Sequence, residues 1–297
     1  MSISESFPTG IDCIDSMLGG GFLKRAINMI YGEPGAAKTS LIAHTIAHNI
    51  DNNNDDQLFC VVDTEQGWSD ERVKQIFTAH NIKDTSKVKI FHVSSFRDQH
   101  RVITKDWEQL VQNRKPSLFV ADSFINFYHQ QLLNTPIALM AGLARTLQGK
   151  LATEIINLYK YSILCNCPVI LVSWSSSSVG SVFNEIEIGH SFEDYGKTGK
   201  SEIEELLPLE RPDVIGGKRL RYMSKIILKL LSGKKPDVKF AILKKHVCMP
   251  SDRITAFKVS SSGIDSVNHP VYTVSEFKQI LYEKWKKSKE KEKEETE

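Results

Sequence analysis

Residues 26–47 constrain this chain more than any other stretch. Ala26-Ile27-Asn28-Met29-Ile30-Tyr31 is short and apolar and reads as a buried strand, and Leu41-Ile42-Ala43-His44-Thr45-Ile46-Ala47 keeps helical spacing. Between them lies Gly32-Glu33-Pro34-Gly35-Ala36-Ala37-Lys38-Thr39-Ser40. A strand, a turn of small residues, Lys-Thr and a helix are the layout of a phosphate-binding P-loop. Small residues let the backbone curl until several N–H groups converge on an anion. The helix that follows adds its positive N-terminal end. Lys38 would then reach the β- and γ-phosphates of ATP, and Thr39 would give its hydroxyl to Mg²⁺. One position departs from the pattern. Ala37 stands where a glycine usually precedes the lysine, and its methyl makes a left-handed backbone unfavourable.

Two further strands end in acids. Leu58-Phe59-Cys60-Val61-Val62-Asp63 runs into Thr64-Glu65-Gln66-Gly67-Trp68, and Ser69-Asp70-Glu71-Arg72 opens a helix. In a parallel sheet such a strand tip lies beside the P-loop. Glu65 could there orient or deprotonate an attacking water, as phosphoryl transfer requires. The alternative is a plain strand-end turn with a helix cap. Ser117-Leu118-Phe119-Val120-Ala121-Asp122-Ser123 has the form of a Walker B strand, whose Asp122 would hold Mg²⁺ through water.

The remaining chain alternates in the same way. Val88–Val93 reads as a strand and residues 99–113 as an amphipathic helix. Residues 124–137 read as a loop rich in aromatics and Gln. Leu139, Leu143, Leu147, Leu151, Ile155 and Leu158 recur at helical spacing, so one long helix packs on the sheet. Pro168–Val172 is another buried strand. Residues 175–218 read as a long, acidic, flexible loop, poorly suited to gripping phosphates. Ser224–Leu231, Val238–Leu243 and Ile254–Val259 read as strands, the first two parted by a turn at Gly233-Lys234-Lys235-Pro236. The fold class is therefore α/β: a central, mostly parallel, twisted sheet flanked by helices, with antiparallel strands toward the C-terminus. Residues 1–272 read as one domain, and residues 273–297 as a helix with a charged tail.

Composition narrows the function classes. A formal net charge of +2 over 297 residues carries no global basic bias toward nucleic acid. The N-terminal residues lack the basic and apolar regions of a secretory signal, and no stretch approaches a membrane span. Five scattered cysteines suit a reducing, cytoplasmic setting. Cys165-Asn166-Cys167 reads as core or loop thiols, with half of a metal site as the alternative.

In order along the chain, these motifs resemble the RecA/RadA recombinase superfamily, and within it the short archaeal RadB-like proteins. Thr9-Gly10-Ile11-Asp12 through Leu18-Gly19-Gly20-Gly21 looks like the family's lead-in. Asp63-Thr64-Glu65 with Glu71-Arg72, Ala121-Asp122-Ser123, and the stretch from Val238 to Ile264 look like its later elements. The resemblance implies a RecA-type ATPase core with Glu65 as catalytic glutamate and Arg72 packed on adenine. It implies that Lys244, Lys245 and Pro250 contact ATP across a subunit interface, so a homo-oligomer is expected. It further implies single-stranded DNA, or a recombinase or repair protein, as partner. There are departures besides Ala37. Gln66 stands where the family has Gly, and Ser173-Trp174 where it has Asn-Gln; that Gln links the γ-phosphate to the DNA loop. Slow ATP hydrolysis in support of recombination or DNA repair is the leading expectation. A KaiC-like regulatory ATP switch that binds a protein partner without DNA is the alternative.

Overall fold

The computed structural model describes residues 5–51, 54, 56–82, 84–175, 217–233, 235–265 and 269–283. A two-stranded antiparallel ribbon, β1 (Ser6–Phe7) and β2 (Phe22–Leu23), brackets helix α1 (Asp12–Leu18). The N-cap Ile11 and the helix residues Ile14, Met17 and Leu18 are buried on one face. The helix stops at Gly19, whose φ of 73° is the left-handed conformation that glycine adopts freely.

The P-loop strand, β3 (Ala26–Gly32), lies in the middle of the main sheet. On one side of it come β7 (Pro168–Trp174), β6 (Leu118–Asp122), β4 (Phe59–Asp63) and β5 (Val88–His92), all parallel. On the other side β8 (Ser224–Ser232) is also parallel to β3. The strands β9 (Val238–Lys245), β10 (Arg253–Ser260) and β11 (Gly263–Asp265) then continue the sheet antiparallel. The short β12 (Tyr272–Thr273) pairs with β10. The expected fold class therefore holds. One refinement concerns β8, which completes the parallel part and only then hands over to antiparallel neighbours.

Every residue of β3 is buried, because both faces of the sheet are covered. Ala26 and Ile30 point into one core with α1, α2 (Lys38–Asn49) and α3 (Asp70–Ala79). Ile27, Met29 and Tyr31 point into the other, beneath α7 (Ile137–Leu164). The alternation is the period-2 consequence of a pleated strand.

Three sequence expectations are corrected. The helix expected over residues 99–113 starts at α4 (Phe96–Arg101), behind a Ser95 cap that accepts the Asp98 N–H. It passes through a π-helical turn at Val102–Asp106 before α5 (Trp107–Asn113). Residues 124–137 are not a loop throughout, since α6 (Asn126–Leu133) folds there with Asn126, Phe127 and Tyr128 buried. Its aromatics are core residues, which a Gln-rich context disguised. Lastly, α7 packs against the core only from about Leu143 onward. Its first turns project outward, with Ile137 87% and Leu139 65% exposed.

Most of the acidic 175–218 stretch lies outside the described residues. Its end is helical, as α8 (Gly217–Met223). Residues 274–283 are helical as well. Val274 packs with Ile242 and Ile254 in a small third core, and Phe277 lies against that core.

Candidate nucleotide-binding site

The parallel strands all point their C-terminal ends the same way, so β3, β4, β6 and β7 deliver their last residues to one rim. Asp63 and Asp122 are direct register partners there, as are Gly32 and Trp174. Side chains a hundred residues apart thus meet on that rim. A cleft of about 620 Å³ opens on it, lined by Lys38, Thr39, Glu65 and Asp122 among others.

The loop from Glu33 to Ala37 curls as a P-loop should. Gly35 and Ala37 both have positive φ, 76° and 68°. Ala37 therefore occupies the left-handed conformation that disfavours a side chain, at a penalty of roughly 1–2 kcal/mol. A Cβ at Gly32 would lie 2.2 Å from the Leu230 carbonyl oxygen, so close packing of β3 on β8 requires glycine there. The Glu33 carboxylate accepts the Ser232 N–H at 3.0 Å and moors the loop to β8. Pro34 and Gly35 form the exposed crown, Ala36 is buried beneath it, and Ser40 follows in the first turn of α2.

Lys38 donates to the carbonyls of Gly32 at 3.0 Å and Glu33 at 2.8 Å. Burial pulls its ammonium below the usual lysine range, while the Asp122, Glu65 and Glu33 carboxylates push it back up. Thr39 donates its hydroxyl to Asp122 Oδ2 at 2.7 Å. That oxygen also accepts the Trp68 indole N–H at 3.1 Å. Burial pushes the Asp122 carboxyl up to about 6, with the Thr39 and Trp68 bonds opposing the shift. A hydroxyl beside a carboxylate at the mouth of a phosphate loop is a hard-oxygen set that fits Mg²⁺.

Glu65 reaches the cleft because Asp63 shapes the turn behind it. The Asp63 carboxylate accepts the backbone N–H groups of Glu65, Gly67 and Trp68 at 3.2–3.3 Å. Gln66, where a glycine was expected, has a φ of 56°. The Glu65 Oε1 accepts the Trp174 indole N–H at 2.6 Å. Thr64 joins the two acidic strands, since its hydroxyl donates to the Ser123 carbonyl and accepts the Ser123 N–H, both at 2.9 Å.

Lys38, Thr39, Glu65 and Asp122 are thus brought together. Arg72 lies at the start of α3, where its guanidinium donates to the carbonyls of Ser260 and Ser261 at the β10–β11 turn. Beside that turn, Val259 lines the cleft with Pro236, Asp237 and Lys239. Lys244, Lys245 and Pro250 are not at this rim. Lys245 pairs in register with Ile227 near the start of β8, at the opposite end of the sheet. Lys244 bonds Asp252, and Lys245 caps the carbonyls of Arg221 and Tyr222.

Sequence reasoning missed Trp68 and the far wall of Pro236, Asp237, Lys239 and Val259. It singled out Asp63 and Trp174 but not their part in holding the turn and carboxylate of Glu65. Asp63 had a legible signal as the last residue of an apolar strand, whereas the Trp68 contact to Asp122 bridges 54 residues and had none. The cysteines are all free, and among the described residues no set of three or more His, Cys, Asp or Glu could hold a metal. Nor is any helix among them long and apolar enough to cross a membrane.

A P-loop at the tip of a central strand, with acids on two neighbouring tips of the same parallel sheet, defines a RecA-type nucleotide-binding core. The chain belongs to the Rad51 family, whose model matches residues 4–180, more than half of its length. It is similar to the DNA repair and recombination protein RadB of Archaeoglobus fulgidus, at 27% identity over 87% of this chain and 97% of the relative. RadB of Pyrococcus furiosus is 25% identical over 90% and 98%. A crystal structure of the RadB recombinase has the same fold, with a TM-score of 0.62 and 24% identity over 88% of this chain and 100% of that one. The resemblance carried by the motifs is thereby borne out.

Proposed function

We propose that the protein binds ATP with Mg²⁺ in this cleft, hydrolyses it slowly, and assists homologous recombination or DNA repair. The observation that carries this reading is the convergence of Lys38, Thr39, Glu65 and Asp122 on one cleft at the P-loop. The loop N–H groups and the start of α2 receive the phosphates. The Lys38 ammonium turns from the loop carbonyls to the β- and γ-phosphate oxygens. The Thr39 hydroxyl and, through water, Asp122 would hold Mg²⁺, which would neutralise charge on the transferring phosphoryl group. Glu65 orients the attacking water and accepts its proton. Slow turnover is expected from the departures at Ala37, Gln66 and Ser173-Trp174, where the elements that shape the loop and couple to the γ-phosphate are altered.

The relatives are named for DNA repair and recombination, which favours this reading over a KaiC-like switch without DNA. Arg72 stands beside the wall formed by Val259 and is the candidate contact for adenine. Lys244, Lys245 and Pro250 face away from their own cleft, so any ATP they touch belongs to a second copy.

The test is ATP hydrolysis with and without single-stranded DNA. Glu65→Gln should lower kcat by about 10²-fold or more while leaving nucleotide binding intact. Lys38→Ala should abolish binding. DNA affinity that falls steeply with salt supports a nucleic-acid partner. Wild-type hydrolysis unaffected by Lys38→Ala would refute the site.

A further inference from the structure

We propose that Trp174 is a positioning residue for hydrolysis: its indole N–H holds Glu65 Oε1 and leaves Oε2 directed at the water. This rests on the cleft being the ATP site. The bond is 2.6 Å, the shorter of the two indole contacts to acids in the cleft. Its two ends differ in rigidity. Glu65 is exposed at the tip of a turn, and an exposed glutamate samples many rotamers. Trp174 is the last residue of β7, in register with Gly32 of the P-loop strand, so its backbone is held by the sheet beside the phosphate loop.

The indole has a second support. The His129 imidazole from α6 stacks on it, with centroids 5.8 Å apart and planes 19° apart. The His129 Nε2 is buried and has no hydrogen-bond partner among the described residues, so this ring contributes stacking area at that face. A single donor that binds one carboxylate oxygen narrows the rotamers of the side chain and so the space the other oxygen can reach. In the step served, water gives a proton to Glu65 Oε2 as its oxygen bonds to the γ-phosphorus. The bond from that phosphorus to the β,γ-bridging oxygen breaks, and ADP leaves with the electron pair. The proton then passes to the released phosphate. Misplacing such a group by about 1 Å lowers rates by as much as 10²-fold.

The experiment uses the whole 297-residue chain and five variants, one of them a double. Trp174→Phe keeps the ring and its stack on His129 but removes the donor. It should lower kcat about 10- to 100-fold and change KM for ATP less than about twofold. In a Glu65→Gln background the same change should have almost no further effect, because the two act as a unit. In ¹⁵N-tryptophan spectra the Trp174 indole proton, identified by its loss in Trp174→Phe, should lie downfield and move upfield in Glu65→Ala. A folded Trp174→Phe with wild-type or higher kcat overturns the proposal, and so does an indole signal indifferent to Glu65→Ala. If Lys38→Ala abolishes hydrolysis while Trp174→Phe does not lower it, only the role of Trp174 falls. If wild-type hydrolysis is absent or indifferent to Lys38→Ala, the ATP site and the role of Trp174 fall together.

Discussion

Ala37 and His44 illustrate how much single residues carry outside the chemistry. Ala37 sits at φ 68°, where an L side chain is strained and glycine is not. Ala37→Gly should therefore raise the unfolding free energy by about 1 kcal/mol in urea titration, despite losing a half-buried methyl. His44 is almost fully buried on α2. Its Nδ1 accepts the Ile264 N–H at 3.3 Å and faces His80 Nε2 at 3.2 Å, and its Nε2 lies 3.5 Å from the Gly10 carbonyl. That network suits the neutral imidazole protonated on Nε2. Burial and the neighbouring His80 push its pKa down to about 4 from the ordinary 6.5. The folded value is the lower one, so this contribution is present above pH 6.5 and is lost as pH falls toward 4. Urea titrations at pH 7.5 and pH 4.5 should differ by up to about 3 kcal/mol from this group. His44→Gln should remove most of that difference.

At the scale of elements, α7 is the helix whose sequence pattern overstated its packing. Six apolar residues share one face, yet Leu139 is 65% exposed while Leu158 is fully buried. Leu158→Ala should destabilise the fold by about 2–5 kcal/mol, whereas Leu139→Ala should change it by less than about 0.5 kcal/mol. Thermal melts of the two variants separate these outcomes. Periodicity reports that a face exists; it does not report how far the sheet beneath extends. The helix α6 shows the converse. Phe127 and Tyr128 enter the core beside α7, and Asn126 donates to the Thr64 carbonyl at 2.8 Å, contacts that only folding creates.

At the scale of the whole molecule, the two ends of the sheet carry different candidate residues. The rim at the strand C-termini holds the cleft, and Lys244, Lys245 and Pro250 lie toward the other end of the sheet, on β9 and the turn after it. If both ends serve one ATP across an interface, a mixture of Lys38→Ala and Lys245→Ala subunits should hydrolyse ATP faster than either alone. Mixed junctions in which the Lys245→Ala cleft faces a Lys38→Ala partner would join an intact cleft to an intact opposing surface, whereas the reverse junctions would lack both. Rates that equal the average of the two pure variants would show that the lysines work only within their own chain.

By itself, the sequence determined the strand–loop–helix at Gly32–Ser40, the acids at two strand ends and the alternation that makes a parallel sheet. These are local signals, set by side-chain size, charge and period, and they sufficed to name Lys38, Thr39, Glu65 and Asp122. Tertiary structure alone decided which groups hold those acids. Trp68 on Asp122 and Trp174 on Glu65 are joined across 54 and 109 residues. Strand order and register, properties of the assembled sheet and of no single segment, bring those partners within hydrogen-bond reach.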